Sequence, residues 1–157
     1  MAAGMKQPLY TVEILRLAAS IPHLGKIAEP HGSAELRSPT CGSTVSVQVR
    51  LDGEGRVSVL GQQVEACAFG QASASLMGAN AIGRSAGEVE DALAAFEAWL
   101  SGASDEQCGW PGLDALSPAR SRRGRHGAML LPFRALLAAI QEASQSRARS
   151  ARAISGP

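Results

Sequence analysis

Thr44-Val45-Ser46-Val47-Gln48-Val49-Arg50-Leu51 alternates polar and apolar residues without a break. It meets the turn Asp52-Gly53-Glu54-Gly55, after which Arg56-Val57-Ser58-Val59-Leu60 resumes the alternation. Successive side chains of a strand point to opposite faces, so this pattern predicts a β-hairpin with one buried face. Ala34 to Ser38 supplies a candidate third antiparallel strand before it.

Outward from the hairpin the period changes to that of helices. On the amino-terminal side, Thr11 can cap a helix whose apolar face is Val12, Ile14, Leu15, Ala18 and Ile21, limited by Pro22. Residues 22–33 read as loop. On the carboxyl-terminal side, residues 68–82 read as an Ala- and Ser-rich helix. Ser85-Ala86-Gly87-Glu88 is a capping box opening a helix with Val89, Leu93, Phe96 and Leu100 on one stripe. Residues 102–127 read as a loop with a short helix near Leu113, and an amphipathic helix follows from Leu130 to Ala143. The expected fold is therefore α+β: an N-terminal helix, a small three-stranded antiparallel sheet, then three to four helices packed on one sheet face. Residues 1–8 are expected to be a disordered arm, 9–143 a single domain, and 144–157 a disordered basic tail.

The chain has 157 residues, which fits one domain. No apolar run approaches the ~18–20 residues of a membrane-spanning helix, and Met1 to Tyr10 has no continuous apolar core of a secretory signal. A cytoplasmic protein with no membrane partner is expected. Its net charge of +1 argues against a strongly basic nucleic-acid binder, but hides a division. Residues 1–116 hold 7 basic and 13 acidic residues, whereas residues 117–157 hold 8 basic and 1 acidic. Arg120, Arg122, Arg123 and Arg125 could dock an acidic partner or a nucleic-acid backbone, or be a solvated loop. Nucleic acid is the weaker case, because no recognition module or stacking aromatics accompany them.

Three cysteines, Cys41, Cys67 and Cys108, are an odd and sparse set for a disulfide framework, so free thiols in a reducing compartment are expected. Cys41 enters the hairpin in Pro39-Thr40-Cys41-Gly42-Ser43, and Cys67 leaves it in Glu65-Ala66-Cys67-Ala68. The two outer ends of a hairpin are close in space, so these thiols could converge. Cys67 also lies at a helix N-terminus, where free amides favour thiolate. Two thiolates are half of a tetrahedral metal or cluster site, and further ligands are required. His126 is the candidate supplement: the arginines around it favour the neutral ring that binds metal. His23 and His31 read as surface residues.

The runs LYTVEILRLAASIPH (residues 9–23), PTCGSTVSVQV (residues 39–49), ACAFGQASASLMGANAIGRSAGEVEDALAAFEAWL (residues 66–100) and GWPGLDALSPARSRRGRHGAMLLPFRALLAAI (residues 109–140) resemble the U-type iron–sulfur scaffold family. This family comprises IscU, SufU and the amino-terminal domain of NifU, and the last run looks most like the SufU branch. The most specific element is Cys67-Ala68-Phe69-Gly70-Gln71-Ala72-Ser73-Ala74-Ser75.

The resemblance implies a surface site of three cysteines and an aspartate or histidine, holding zinc or a transient [2Fe–2S] cluster whose sulfur a cysteine desulfurase delivers. Apo iron–sulfur proteins would be the recipients. Cys41 and Cys67 match the first two family cysteines. The aspartate expected two residues after the first is Ser43. The third cysteine falls on Ala128 when Phe133, Ala135 and Leu136 are aligned, or on Gly127 after a one-residue slip, so that thiol is missing either way. Full ligand sets at structural zinc sites are worth roughly 10–16 kcal/mol, and losing two ligands should cut that heavily.

Two functions compete at this level. The first is an assembly scaffold or sulfur acceptor that is not an enzyme, binding iron, a [2Fe–2S] cluster or zinc through Cys41 and Cys67 with His126 in support. A homodimer could join two half-sites around one cluster. The second is a scaffold-like binding module that carries no metal and contacts a cysteine desulfurase or another assembly component. A thiol enzyme with Cys67 as nucleophile and His126 as base is weaker, since no orienting carboxylate is evident. Cys108 would join the site only if its loop folded back.

Overall fold

The computed structural model describes residues 10–39, 42–106 and 108–155, so the arm expected over residues 1–8 lies outside the described residues. The chain runs α1 (Val12–Ala18), β1 (Gly32–Arg37), β2 (Thr44–Leu51), β3 (Val57–Glu65), α2 (Ala68–Asn80), α3 (Ala86–Ser101), a 3-10 segment (Leu113–Ala119) and α4 (Arg123–Ser155). The α+β expectation holds, with the helices and the sheet in the order the sequence suggests.

The sheet has the order β1-β2-β3 and is antiparallel throughout, with Ala34 opposite Val47, Val47 opposite Gln62 and Thr44 opposite Glu65. Val45, Val47, Val49 and Leu51 are all buried, so the alternation read in β2 selects the inner face. Asp52 sets the hairpin turn: its carboxylate accepts from the amides of Glu54 (2.9 Å) and Arg56 (3.0 Å). These amides, more than any counter-charge, hold the Asp52 carboxyl below its ordinary range. Both outer strands differ from expectation in their bounds. β1 begins at Gly32, because Gly32 and Ser33 still pair with Val49 and Gln48; α4 lies so close there that a Cβ on Gly32 would sit 2.2 Å from the Ala139 carbonyl oxygen. β3 continues past Leu60 to Glu65, and its inward Gln62 is accommodated by donating to the carbonyls of Pro22 (3.0 Å) and Ala74 (3.1 Å).

α4 crosses the inner face of β1 and β2, while α2 packs between α1 and α4. The small residues of α2 explain this contact: Gly70, Ala72, Ser73, Ala74 and Ser75 are buried, and the Ser73 hydroxyl donates to the Met129 carbonyl. With few aromatics available, Phe133 gathers Phe96 (ring centroids 5.4 Å apart) and Trp110 (5.1 Å) edge-to-face. Trp110 also donates its indole N–H to the Leu76 carbonyl at 2.8 Å, which ties the segment after α3 to α2. The capping box is formed as read: the Ser85 hydroxyl accepts from the Glu88 amide, and Glu88 accepts from the Ser85 amide.

The last helix needs the largest correction. It starts at Arg123, seven residues before the expected Leu130, and runs through residues 144–155 instead of leaving them as a disordered tail. At its start, Ala128 and Met129 are buried against α2, so tertiary packing overrides a poor Arg-Gly-Arg opening. At its end, Ala, Arg and Gln are strong helix formers and no Gly or Pro intervenes before Gly156. Arg147 fastens this end to the hairpin by donating to the Asp52 carbonyl at 2.7 Å. Among the described residues, no helix is long and apolar enough to cross a membrane.

Candidate functional site

Because Thr44 pairs with Glu65, the chain enters β2 and leaves β3 at the same rim of the sheet. The entering loop is closed on itself. The Ser38 amide donates to the Ser43 carbonyl (2.8 Å) and the Gly42 amide donates to the Ser38 carbonyl (2.9 Å). Gly42 adopts φ +72°, a left-handed conformation that suits a residue without Cβ. Cys41 falls between these anchors but lies outside the described residues.

Two residues beyond β3, Cys67 occupies the N-cap of α2 with extended backbone (φ −65°, ψ 170°). Its carbonyl accepts the first helical bond, from the Gln71 amide at 2.9 Å. Its thiol makes no capping hydrogen bond and is half-buried. A serine or aspartate here would use its side chain on the helix amides, whereas the Cys67 sulfur is not committed to them.

The third wall of the rim is the start of α4. Among the described residues, a Cβ on Gly127 would meet the Ser38 hydroxyl alone, at 3.3 Å, so Gly127 faces the loop that carries Cys41. Ala128 turns the other way. It is fully buried, and a Cβ built on Gly70 of α2 would come within 3.4 Å of its methyl and 3.2 Å of its carbonyl oxygen. Pro132 has no N–H, so that Ala128 carbonyl lacks its usual helical donor. Of the two positions on which the absent third cysteine could align, Gly127 is the one that looks onto the loop. Ser43, in place of the aspartate, is buried at 4% exposure.

His126 precedes Gly127 and is half-buried, with Nε2 2.8 Å from the Arg120 carbonyl oxygen. A carbonyl only accepts, so Nε2 carries the proton and Nδ1 is the nitrogen left with a lone pair. Ligating histidines commonly donate their second nitrogen to a carbonyl in this way. Arg120 is itself pinned: Nε donates to the Trp99 carbonyl (2.9 Å), Nη2 to the Ser104 carbonyl and to Asp105 (both 3.2 Å), and the guanidinium lies over the Trp99 ring. The sequence reading grouped Arg120 with the free arginines. Only the fold reveals it as the strut behind His126.

Cys108 is elsewhere. Its thiol donates to the Ala92 carbonyl at 3.2 Å, and burial pushes its pKa up, outweighing the opposing Trp110 amide and Arg84 charge. Trp110, two residues on, is fixed at Leu76, nine residues along α2 from Cys67, or about 14 Å at helical rise. Cys108 does not fold back to the rim. His31 is also remote: it sits beside Leu51, about 23 Å of strand from Thr44. There Nδ1 accepts from the Leu51 amide at 2.8 Å, so His31 is structural and not merely a surface residue. Among the described residues, no three His, Cys, Asp or Glu side chains cluster so as to hold a metal ion. Of the described residues, Cys67 stands where α2 starts beyond β3, and Gly127 faces the loop with His126 one residue before it in α4, while Gly127 and Ser43 hold positions where the resemblance expects ligands.

A helix, a three-stranded antiparallel sheet and a helical layer are the arrangement expected from the resemblance to the U-type iron–sulfur scaffold family. The family model described as the NifU-like N terminal domain matches residues 9–117, and the chain belongs to that family. Among solved structures it is similar to a nitrogen-fixing NifU-like protein (N-terminal) from Brucella abortus. That match has 33% identity and a TM-score of 0.81, over 87% of this chain and 95% of the other. It also shares the fold of a putative iron–sulfur cluster assembly scaffold protein for the SUF system from Fervidobacterium islandicum, at 22% identity and a TM-score of 0.75, over 84% and 96% of the two chains. No curated protein gives a significant match.

Proposed function

We propose that this chain is a scaffold or sulfur acceptor that holds iron, a [2Fe–2S] cluster or zinc through the thiolates of Cys41 and Cys67, with His126 as a further donor through Nδ1. The cluster is cargo, built with sulfur from a cysteine desulfurase and passed to apo proteins. The observation that supports this reading is the state of Cys67, an uncapped, half-buried thiol at the start of α2. Two thiolates and one imidazole leave a four-coordinate ion with an open position. That suits transient holding better than permanent storage, and a second copy of the chain could fill the gap with its own thiolates.

Anaerobic incubation with a desulfurase, cysteine, iron and a thiol reductant that turns the persulfide sulfur into sulfide, followed by visible spectroscopy, tests the proposal. Wild type should develop a thiolate-to-iron chromophore, Cys67→Ser should lose it, and Cys108→Ser should retain it. A colourless product from a protein that also carries no zinc refutes the reading. The competing function, a module that keeps the fold and contacts assembly components without metal, is favoured by Gly127 and Ser43 occupying ligand positions. Elemental analysis of freshly purified protein separates the two.

A further inference from the structure

We infer that Arg122, Arg123 and Arg125 form a docking surface for an acidic protein segment, set beside the rim that carries His126 and Gly127. The other arginines between Arg50 and Arg134 are engaged. Arg50 donates to the Glu29 carbonyl, Arg56 pairs with Glu88, Arg84 donates to the Asn80 carbonyl, Arg120 is pinned at Trp99, and Arg134 pairs with Glu97. Arg122, Arg123 and Arg125 make no side-chain hydrogen bond or ion pair with the described residues. Arg122 and Arg123 are exposed and Arg125 is half-buried.

Three unpaired cations within four residues repel one another, and they do so at the start of α4, whose first turn holds no acidic residue. Positive charge there opposes the helix dipole. The arrangement costs folding stability, and an anionic partner relieves it. Carboxylates are the better-matched anion. The positive patch spans four residues, a length that a short run of carboxylates matches and an extended phosphate backbone overruns. Base stacking has no platform here either, since Tyr10, the exposed aromatic among the described residues, stacks on Phe69 of α2. The inference deepens the family reading by naming the chemistry of a partner at the same rim, but it does not depend on metal.

The test is fluorescence anisotropy with a labelled hexaglutamate peptide, using the full chain. Binding should weaken about tenfold or more between roughly 20 mM and 200 mM salt, as the screening length shortens. The variant Arg122→Glu/Arg123→Glu/Arg125→Glu should lose it. A control with the same change in net charge, Arg16→Glu/Arg37→Glu/Arg149→Glu, should bind within about threefold of wild type, because its sites are scattered. Circular dichroism verifies folding, and Arg122→Gln/Arg123→Gln, at two exposed positions, replaces the triple variant if that fails to fold. Equal loss in the scattered control overturns the inference, as does peptide binding that persists in the reversal variant. Tighter binding of a single-stranded oligonucleotide, lost in the same variant, overturns the acidic-protein assignment. Zinc content measured on the same samples keeps the two proposals apart: metal-free wild type that still binds the peptide defeats the ligand reading alone.

Discussion

If Gly127 is the vacated third-ligand position, then Gly127→Cys should restore a thiolate and Ala128→Cys should not. Among the described residues, a Cβ at Gly127 meets only the rotatable Ser38 hydroxyl, at 3.3 Å. Replacing a helical glycine should also stabilise the apo-protein by about 0.3 kcal/mol. At Ala128 the methyl is fully buried against α2, so an added sulfur would overpack the contact, at a cost of about 1–3 kcal/mol. A full zinc ligand set is worth roughly 10–16 kcal/mol, so one of four ligands contributes about 2.5–4 kcal/mol on average. At about 1.4 kcal/mol per decade, Gly127→Cys should tighten zinc binding by two to three orders of magnitude. Competition against a chromophoric zinc chelator measures this, and cobalt substitution reports the added thiolate as stronger ligand-to-metal absorption. Unchanged affinity in Gly127→Cys with its thiol reactive, or an equal gain in Ala128→Cys, would refute the assignment of the rim.

Further outcomes follow from the packing and the titrating groups. Ser85→Ala removes the cap of α3 and should cost about 1 kcal/mol, lowering Tm by about 2–4 °C in a thermal melt. Gly32→Ala places a methyl 2.2 Å from the Ala139 oxygen and 2.5 Å from the Ala143 nitrogen, both backbone atoms. It should destabilise the protein by at least ~1–3 kcal/mol in urea, while Gly53→Ala, with open space around it, should not. The pKa of His31 is lowered by burial first, then by Arg50 and Arg147. The unfolded chain therefore takes up this proton before the folded one as pH falls. The His31 contribution is complete above its unfolded value of about 6.5 and is lost as pH falls from there through the folded value. Urea midpoints measured across that window should fall with pH in wild type and less so in His31→Gln. Glu88 is held low by the Ser85 amide first and then by Arg56, so its contribution is lost at lower pH, below its ordinary value of 4.5.

The chain's own text determined whatever is encoded locally. The alternation of β2, the Asp52 turn and the Ser85–Glu88 box are each decided by neighbours within a few residues, because side-chain period and capping geometry are short-range. The family motif around Cys67 belongs with these. Tertiary structure alone decided where α4 begins and which of Gly127 and Ala128 looks onto the cysteine loop. Rotation about a helix axis is fixed by what packs on it, here the small face of α2 against Ala128 and Met129. The same holds for Arg120, whose role as the brace behind His126 comes from Trp99 and Ser104. A contact spanning some twenty residues leaves no periodic trace in the chain, since its free energy arises only once both ends are held in place.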